Sequence, residues 1–372
     1  LLFAFLFVEV PQSSFVLYDL NAGSSVKPVN ATLESIPEVL DELDIVPLRC
    51  HSHNDYQRKV PIVSALIAGC TGLEADIWLA ESGQEVVVGH DRASATKTLR
   101  ATYLDPLLQI LDFSNKKSPN NDSSNSSDRA RGLFSTRSDT PVVLLVDVKQ
   151  SGAFAAEAWQ IMLQQLEPFR RKGYLRRYES GAIRHGPLVV VASGEMTLDI
   201  LLSSTTSQGT PYETYHDTFL DAPLRELNLV SDSSWKAKYN DSNSYYASVS
   251  LGVAVGSARF GFSRAQYNIL RRQLRVAQES SLYSRYWGLP KWPVKYRDYV
   301  WSVLAREEVG MLNVDDVNAA ARQYWTTDYL SSVKWMTAVS CVLFVVILVL
   351  VVFRLGYFRT GRHSFPFLSR CK

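Results

Sequence analysis

The sequence predicts a (β/α)8 barrel followed by one C-terminal transmembrane helix. Three observations carry that expectation: short apolar runs alternate with helix-length segments from residue 45 onward, the runs number eight, and an uncharged 19-residue stretch lies near the C terminus. Such alternation reads as successive βα units and a parallel sheet. Candidate strands fall at 45–49, 73–79, 142–148, 188–192, 218–220, 246–251, 286–289 and 311–314. Eight strands over roughly 280 residues match one closed barrel, for which about 250 residues is typical. Helical segments lie between them at 61–68, 155–171, 264–280 and 295–308. An extra apolar run at 85–89 reads as an extended piece capping the second strand.

Residues 1–44 read as an anchor remnant and stem: 1–8 are apolar, like the end of a signal peptide or membrane anchor, and 33–43 form an acidic helical stretch. The barrel is then expected over 45–330, interrupted at 114–128 by SNKKSPNNDSSNSSD, which holds no apolar residue and reads as a disordered insertion. Residues 335–353, WMTAVSCVLFVVILVLVVF, have about the length needed to cross the ~30 Å hydrocarbon layer. No polar stripe interrupts them, as it would in a core helix. Beyond lie Arg354, Arg359, Arg362, Arg370 and Lys372 with no acid, so the positive-inside bias puts the tail 354–372 in the cytoplasm and the barrel on the luminal or extracellular side. Sequons at Asn30, Asn121, Asn125 and Asn240 fall on that same side and predict a glycoprotein.

Composition narrows the function classes. Apolar residues at 46% allow a sizeable core. The net charge is +2, and the five basic residues of the last 19 more than account for it, so the rest is slightly acidic and no nucleic-acid face is expected. Cys341 and Cys371 lie in and beyond the apolar run. Cys50 and Cys70 remain, either paired in an oxidising compartment or as two separate thiols.

The densest chemistry lies in CHSHNDY (50–56), LEADIWL (73–79) and VVVGHD (86–91), which hold His51, His53 and His90, three of the chain's six histidines. Each sits at or just past the end of an apolar run, and C-terminal strand ends form the active-site face of such a barrel. Residues two apart on a strand share a face, so Glu74 and Asp76 project together. Two carboxylates there are costly unless neutralised, and oxygen donors favour Mg²⁺ or Ca²⁺ over Zn²⁺. PVVLLVDVKQ repeats the device with Asp147 and Lys149. Asp147 can complete a three-carboxylate metal site, and Lys149 can hold a phosphate oxygen or the site's excess charge; an internal Asp147–Lys149 ion pair is the plainer alternative. His185, His216 and His363 read as surface histidines, and Trp287 and Trp292 as core or rim residues flanking a late strand.

The order His, Glu-x-Asp, His-Asp and then an apolar strand ending in Asp-x-Lys resembles the glycerophosphodiester phosphodiesterase and phosphatidylinositol phospholipase C-like superfamily. The resemblance implies His51 and His90 as general acid and base, Glu74, Asp76 and Asp147 as metal ligands, and Lys149 as the neighbouring catalytic cation. HSHNDY with GCTGLEADIWL and later FLDAPL (219–224) is similar to one fungal branch, the altered inheritance of mitochondria protein 6 family, over roughly 46–325. Where the glycerophosphodiesterases have His-Arg-Gly, this chain has His51-Ser52-His53, so two histidines compete for one role. His51 is favoured because it directly follows the expected strand, leaving His53 and Asn54 to contact the substrate or the metal. The expected reaction is hydrolysis of a phosphodiester or phospholipid headgroup. The alternatives are a lyase releasing a cyclic phosphate and a barrel without turnover that serves as a membrane-tethered binding protein.

Overall fold

A computed structural model describes residues 14–18, 28–32, 35–116, 129–204, 209–325 and 328–360, the first two stretches and 356–360 by backbone alone. Eight parallel strands close on themselves: β1 (Leu48–Ser52), β2 (Cys70–Leu79), β3 (Val142–Val148), β4 (Leu188–Gly194), β5 (Thr218–Pro223), β6 (Ser244–Ser250), β7 (Tyr283–Trp287) and β8 (Met311–Val314). Each pairs with the next, and β8 pairs back onto β1 through Leu312 opposite Cys50 and Val314 opposite Ser52. Helices fall between strands or follow the last: α1 (Ile36–Glu42) before the barrel, then α2 (Val63–Ile67), α3 (Asp105–Lys116), α4 (Ala153–Gln165), α5 (Leu198–Ser203), α6 (Asp232–Lys238), α7 (Arg264–Glu279), α8 (Val294–Arg306), α9 (Val317–Arg322) and α10 (Tyr329–Thr360).

The alternation of strand side chains divides the core in two. On β3, Val142, Leu144, Val146 and Val148 face the helices, while Val143 and Leu145 point into the barrel. There they meet Val189, Val191, Phe219, Tyr246 and Met311. The segments preceding β4 and β5 form a small sheet of Arg177–Glu179, Ala182–Arg184 and Tyr215–His216 at the N-terminal end. Its Ile183 packs onto the inner cluster, and the Arg176 guanidinium lies 5.3 Å over the rings of both Phe219 and Tyr245, closing that end.

Several boundaries differ from expectation for identifiable reasons. The first strand is 48–52 rather than 45–49, because Pro47 has no N–H to donate and because His51, which faces the barrel interior, and buried Ser52 are polar and so do not resemble strand residues in sequence. The seventh is 283–287 rather than 286–289 for the same reason, since Arg285 points inward. The helix expected over 155–171 breaks at Leu166, where a second helix, Glu167–Arg171, begins with a proline in its first turn. The run at 85–89 does extend the second strand: Val86–Val88 pairs antiparallel with Ile77–Leu79. The acidic stretch forms α1, whose Ile36, Val39 and Leu40 are buried in the outer core.

Cys50 and Cys70, left open by the sequence, form a disulfide that joins β1 to the start of β2. His216 is buried rather than at the surface: its ring nitrogens lie 2.7 Å from the carbonyls of Tyr212 and Ser242, and its ring stacks 3.8 Å from that of Tyr212. The Asn240 amide is half-buried and tied into its own turn, bonding Lys236 O and Ser242 N. Trp287 and Trp292 are exposed, so they are rim residues, not core. Of the insertion expected at 114–128, residues 114–116 end α3 and the rest lie outside the described residues, as do residues 1–8, Asn121, Asn125, His363 and the tail beyond Thr360. The one candidate span among the described residues, Tyr329–Leu355, is long and apolar enough to cross a membrane, and none of its most apolar stretch is covered by the rest of the chain.

Candidate active site

All eight strands point their C-terminal ends the same way, and at that end the inward residues turn polar. On β2, Glu74 and Asp76 face inward and are buried. Asp147, level with Asp76 on the paired strand β3, joins them, so that ligand oxygens of the three lie within 4.8 Å of one another. Lys149 Nζ caps the group, 2.7 Å from Asp147 Oδ2 and 3.0 Å from Asp76 Oδ2, so the ion pair weighed from the sequence exists and takes in Asp76 as well. Tyr56 Oη donates to the same Asp76 oxygen at 2.8 Å. Burial pushes Asp147 up to about 6 and Asp76 in the same direction, against the pull of Lys149.

His51 lies inside β1, not after it, and is fully buried. Burial holds its imidazole neutral by pushing its pKa down to about 4, although Glu74 pulls the other way. Its Nε2 stands 3.3 Å from Glu74 Oε2 without hydrogen-bond alignment, and its Nδ1 is 3.5 Å from Tyr246 Oη. Burial would raise Glu74, but His51 and Arg285 bring it down to about 2. The carboxylate is therefore ionised.

His53 sits at the rim, half-buried, with Nδ1 2.8 Å from Asp315 Oδ1 just past β8. Burial lowers its pKa less than Asp315 and Glu74 raise it, so the net shift is upward. Asn54 holds the turn after β1 in the left-handed region (φ 47°), a conformation that asparagine tolerates better than most side chains. His90 is exposed, and its side chain makes no hydrogen bond or ion pair among the described residues. Its place is fixed by the backbone, since Gly89 N donates to Asp76 O at 3.1 Å and Trp78 Nε1 donates to Gly89 O at 3.0 Å. Asp91 organises that loop, accepting from Ser94 N at 2.8 Å.

Sequence reasoning missed the residues opposite. Arg285 on β7 is buried and bonds Ser248 Oγ (3.0 Å), Asn313 Oδ1 (2.9 Å) and Asp221 Oδ2 (3.1 Å), and reaches Glu74 Oε2 at 3.5 Å. Asp221 belongs to the FLDAPL motif, so a local signal existed for it. Arg285 had none, because only closure of the barrel brings β7 across from β2.

The donors fit a hard cation on a structural criterion. Asp76 Oδ1 and Asp147 Oδ1 are buried and make no hydrogen bond among the described residues, as is the case for His51 Nε2. Buried carboxylate oxygens left without a donor are costly, and a divalent ion ligated by oxygen removes that cost.

A model of the AIM6-like phosphodiesterase domain matches residues 41–221. An altered inheritance of mitochondria protein 6 homolog from Arthroderma benhamiae is 32% identical over 325 residues, covering 80% of this chain and 95% of that relative. The chain belongs to the altered inheritance of mitochondria protein 6 family. Family members from Eremothecium gossypii (32% identical, covering 74% of this chain and 69% of the relative) and Kluyveromyces lactis (26% identical, 83% and 77%) agree in extent. The stretch matched by the family's phosphodiesterase domain holds His51, Glu74, Asp76, His90, Asp147, Lys149 and Asp221, whereas Arg285 and Asn313 lie beyond it.

Proposed function

We propose that the chain is a membrane-anchored, metal-dependent phosphodiesterase acting on a glycerophosphodiester or a lipid headgroup by histidine acid–base catalysis. The observation that carries this reading is the pair of orphaned, buried oxygens, Asp76 Oδ1 and Asp147 Oδ1, beside a neutral buried histidine. Glu74, Asp76 and Asp147 would hold Mg²⁺ or Ca²⁺, which polarises a phosphoryl oxygen and offsets developing negative charge. Lys149, already between two carboxylates, binds a second phosphate oxygen. His51, neutral at working pH, takes the proton from the attacking hydroxyl or water. His90, exposed in the loop whose Gly89 N bonds Asp76 O, returns a proton to the departing alkoxide. His53 and Asn54 orient the substrate at the rim. An attacking hydroxyl from the substrate itself would give a cyclic phosphate instead of a monoester.

The topology proposed is a luminal or extracellular barrel with a cytoplasmic tail. The uncharged segment 335–353 and the basic residues after it support it, as does the Cys50–Cys70 disulfide, which suits an oxidising compartment. The test is a metal-dependent screen of the full chain against glycerophosphodiesters, lysolipids and phosphoinositides, with product analysis. A folded, metal-loaded chain that turns over none of them would refute the enzyme reading and leave the tethered binding protein.

A further inference from the structure

α10 packs on the barrel in a definite direction. Trp325, just before it, meets Trp301 in the middle of α8 edge-on at 5.8 Å. Farther along, Asp328 bonds Lys295 at 2.8 Å, and the Tyr329 ring lies 5.5 Å from Tyr299 and 5.2 Å from Tyr296. The chain thus climbs antiparallel to α8, toward that helix's N terminus and so toward the C-terminal ends of the barrel strands. Tyr329 Oη also donates to Arg259 O at 2.7 Å, in the loop that follows β6 at that same end. Ser332 and Val333 are still half-buried, but from Lys334 onward the helix is exposed, and the uncharged run starts at Trp335. The helix therefore leaves the barrel where its membrane-compatible part begins. From Tyr329 to Trp335 the rise is about 9 Å at ~1.5 Å per residue, against an interfacial layer of about 5–8 Å on each side of the hydrocarbon.

The strand-end loops beside this exit carry large apolar side chains that no described residue covers. Phe260, in the loop tied to Tyr329, is 86% exposed, and Trp292, in the loop after β7, is 79% exposed. Val253, Trp287 and Val294 are exposed beside them in sequence. Tryptophan with flanking lysines is the composition of a membrane-interface belt, and Lys291 and Lys295 flank Trp292. The same loop reaches the rim of the candidate site: Lys291 Nζ lies 3.1 Å from Asp315 Oδ1, the oxygen that His53 also bonds.

We propose that this rim, Phe260 and Trp292 foremost, seats in the headgroup layer of the bilayer that α10 crosses. The catalytic mouth then opens onto that layer, and the substrate is a phosphodiester headgroup of a membrane lipid rather than a freely diffusing diester. The inference rests on α10 being a span and narrows the substrate of the proposed activity.

The full chain, with Cys341→Ser and Cys371→Ser, is reconstituted in phosphatidylcholine vesicles, and an environment-sensitive fluorophore is attached at Phe260→Cys, Trp292→Cys, Phe344→Cys or Ala182→Cys. Phe344 lies within the span, and exposed Ala182 lies at the far end of the barrel. Nitroxide lipids labelled deep in the acyl chain should quench the probe at 344, and headgroup-level nitroxides those at 260 and 292, at a depth of about 5–10 Å. The probe at 182 should respond to neither. If 344 is quenched while 260 and 292 behave like 182, the anchor stands and the rim proposal is wrong. If 344 is not quenched, the span reading fails and takes the proposal with it. Activity supplies the substrate arm: Phe260→Ala with Trp292→Ala should lose turnover of a phosphodiester lipid in vesicles and keep turnover of the water-soluble diester of the same headgroup. Equal turnover of both substrates by that variant would overturn the lipid assignment.

Discussion

The two ends of the barrel are made by the same eight strands and hold opposite populations of side chains. Along β3, Val143 and Leu145 fill the lower interior, and Asp147, the next inward residue, stands among carboxylates. Along β5, Phe219 lies below and Asp221 above. The lower end is apolar and sealed by its small sheet. The upper end keeps orphaned oxygens and a carboxyl pushed up to about 6. The difference teaches that the packed end supplies the stability and so lets the other end hold unfavourable groups ready for a ligand.

The comparison can be broken from either end. The largest expected effect is on chemistry at the upper end: His51→Gln and His90→Gln should each lower kcat by about 10²–10⁴-fold. Their melting curves in chelator should stay near that of the parent, and a variant that melts early would show that its histidine is structural. His53→Ala should mainly raise KM, since no proton transfer is assigned to it. Should it abolish turnover while His51→Gln keeps it, the acid–base pair is His53 and His90.

At the lower end, Leu145 is fully buried, and Leu145→Ala should cost about 2–5 kcal/mol in denaturant titrations. Its kcat per folded molecule should be unchanged. A fall in kcat as deep as that of the histidine variants would mean that the two ends are not separable.

Next in size is the metal. Mg²⁺ or Ca²⁺ at 100 times its Kd should stabilise the native chain by about 2.7 kcal/mol, seen as a melting shift that chelator reverses. Glu74→Gln and Asp147→Asn should each shrink that shift without destabilising the metal-free chain as Leu145→Ala does. An undiminished shift in both would move the metal elsewhere.

The smallest effect belongs to the rim pair His53–Asp315, half-exposed and worth about 0–1 kcal/mol. Asp315 is held below its ordinary 3.8 and His53 above its ordinary 6.5. The Asp315 contribution is present above pH 3.8 and lost as pH falls through its lower folded value; that of His53 is present below pH 6.5 and lost as pH rises through its higher one. Comparing Asp315→Asn with the parent across pH should therefore show the gap widest between those limits, and a gap that widens with alkali would contradict the pairing.

The barrel was legible because its strands are apolar enough to stand out, and the carboxylates because they interrupt apolar strands at a two-residue spacing. Both signals are local. Arg285 and Asn313 carried none: YSRYW and MLNV reveal nothing about facing Glu74 until the barrel closes. The Cys50–Cys70 bond was undecidable for the same reason, since it depends on β1 and β2 lying side by side. His51 was identified as a site residue but placed outside its strand, because inward-facing polar residues resemble loop residues.

Gly72 is level with His51 on the neighbouring strand, and a Cβ there would clash with Nδ1 and Cγ of the imidazole. The two positions therefore act as one unit of inheritance: while 51 is histidine, 72 can carry no side chain unless the ring moves. A change at 72 alone would evict the ring, and only a smaller residue at 51 would release that constraint. Descendants of this chain that abandon the histidine should be the ones in which the glycine drifts, leaving a paired mark of the lost chemistry.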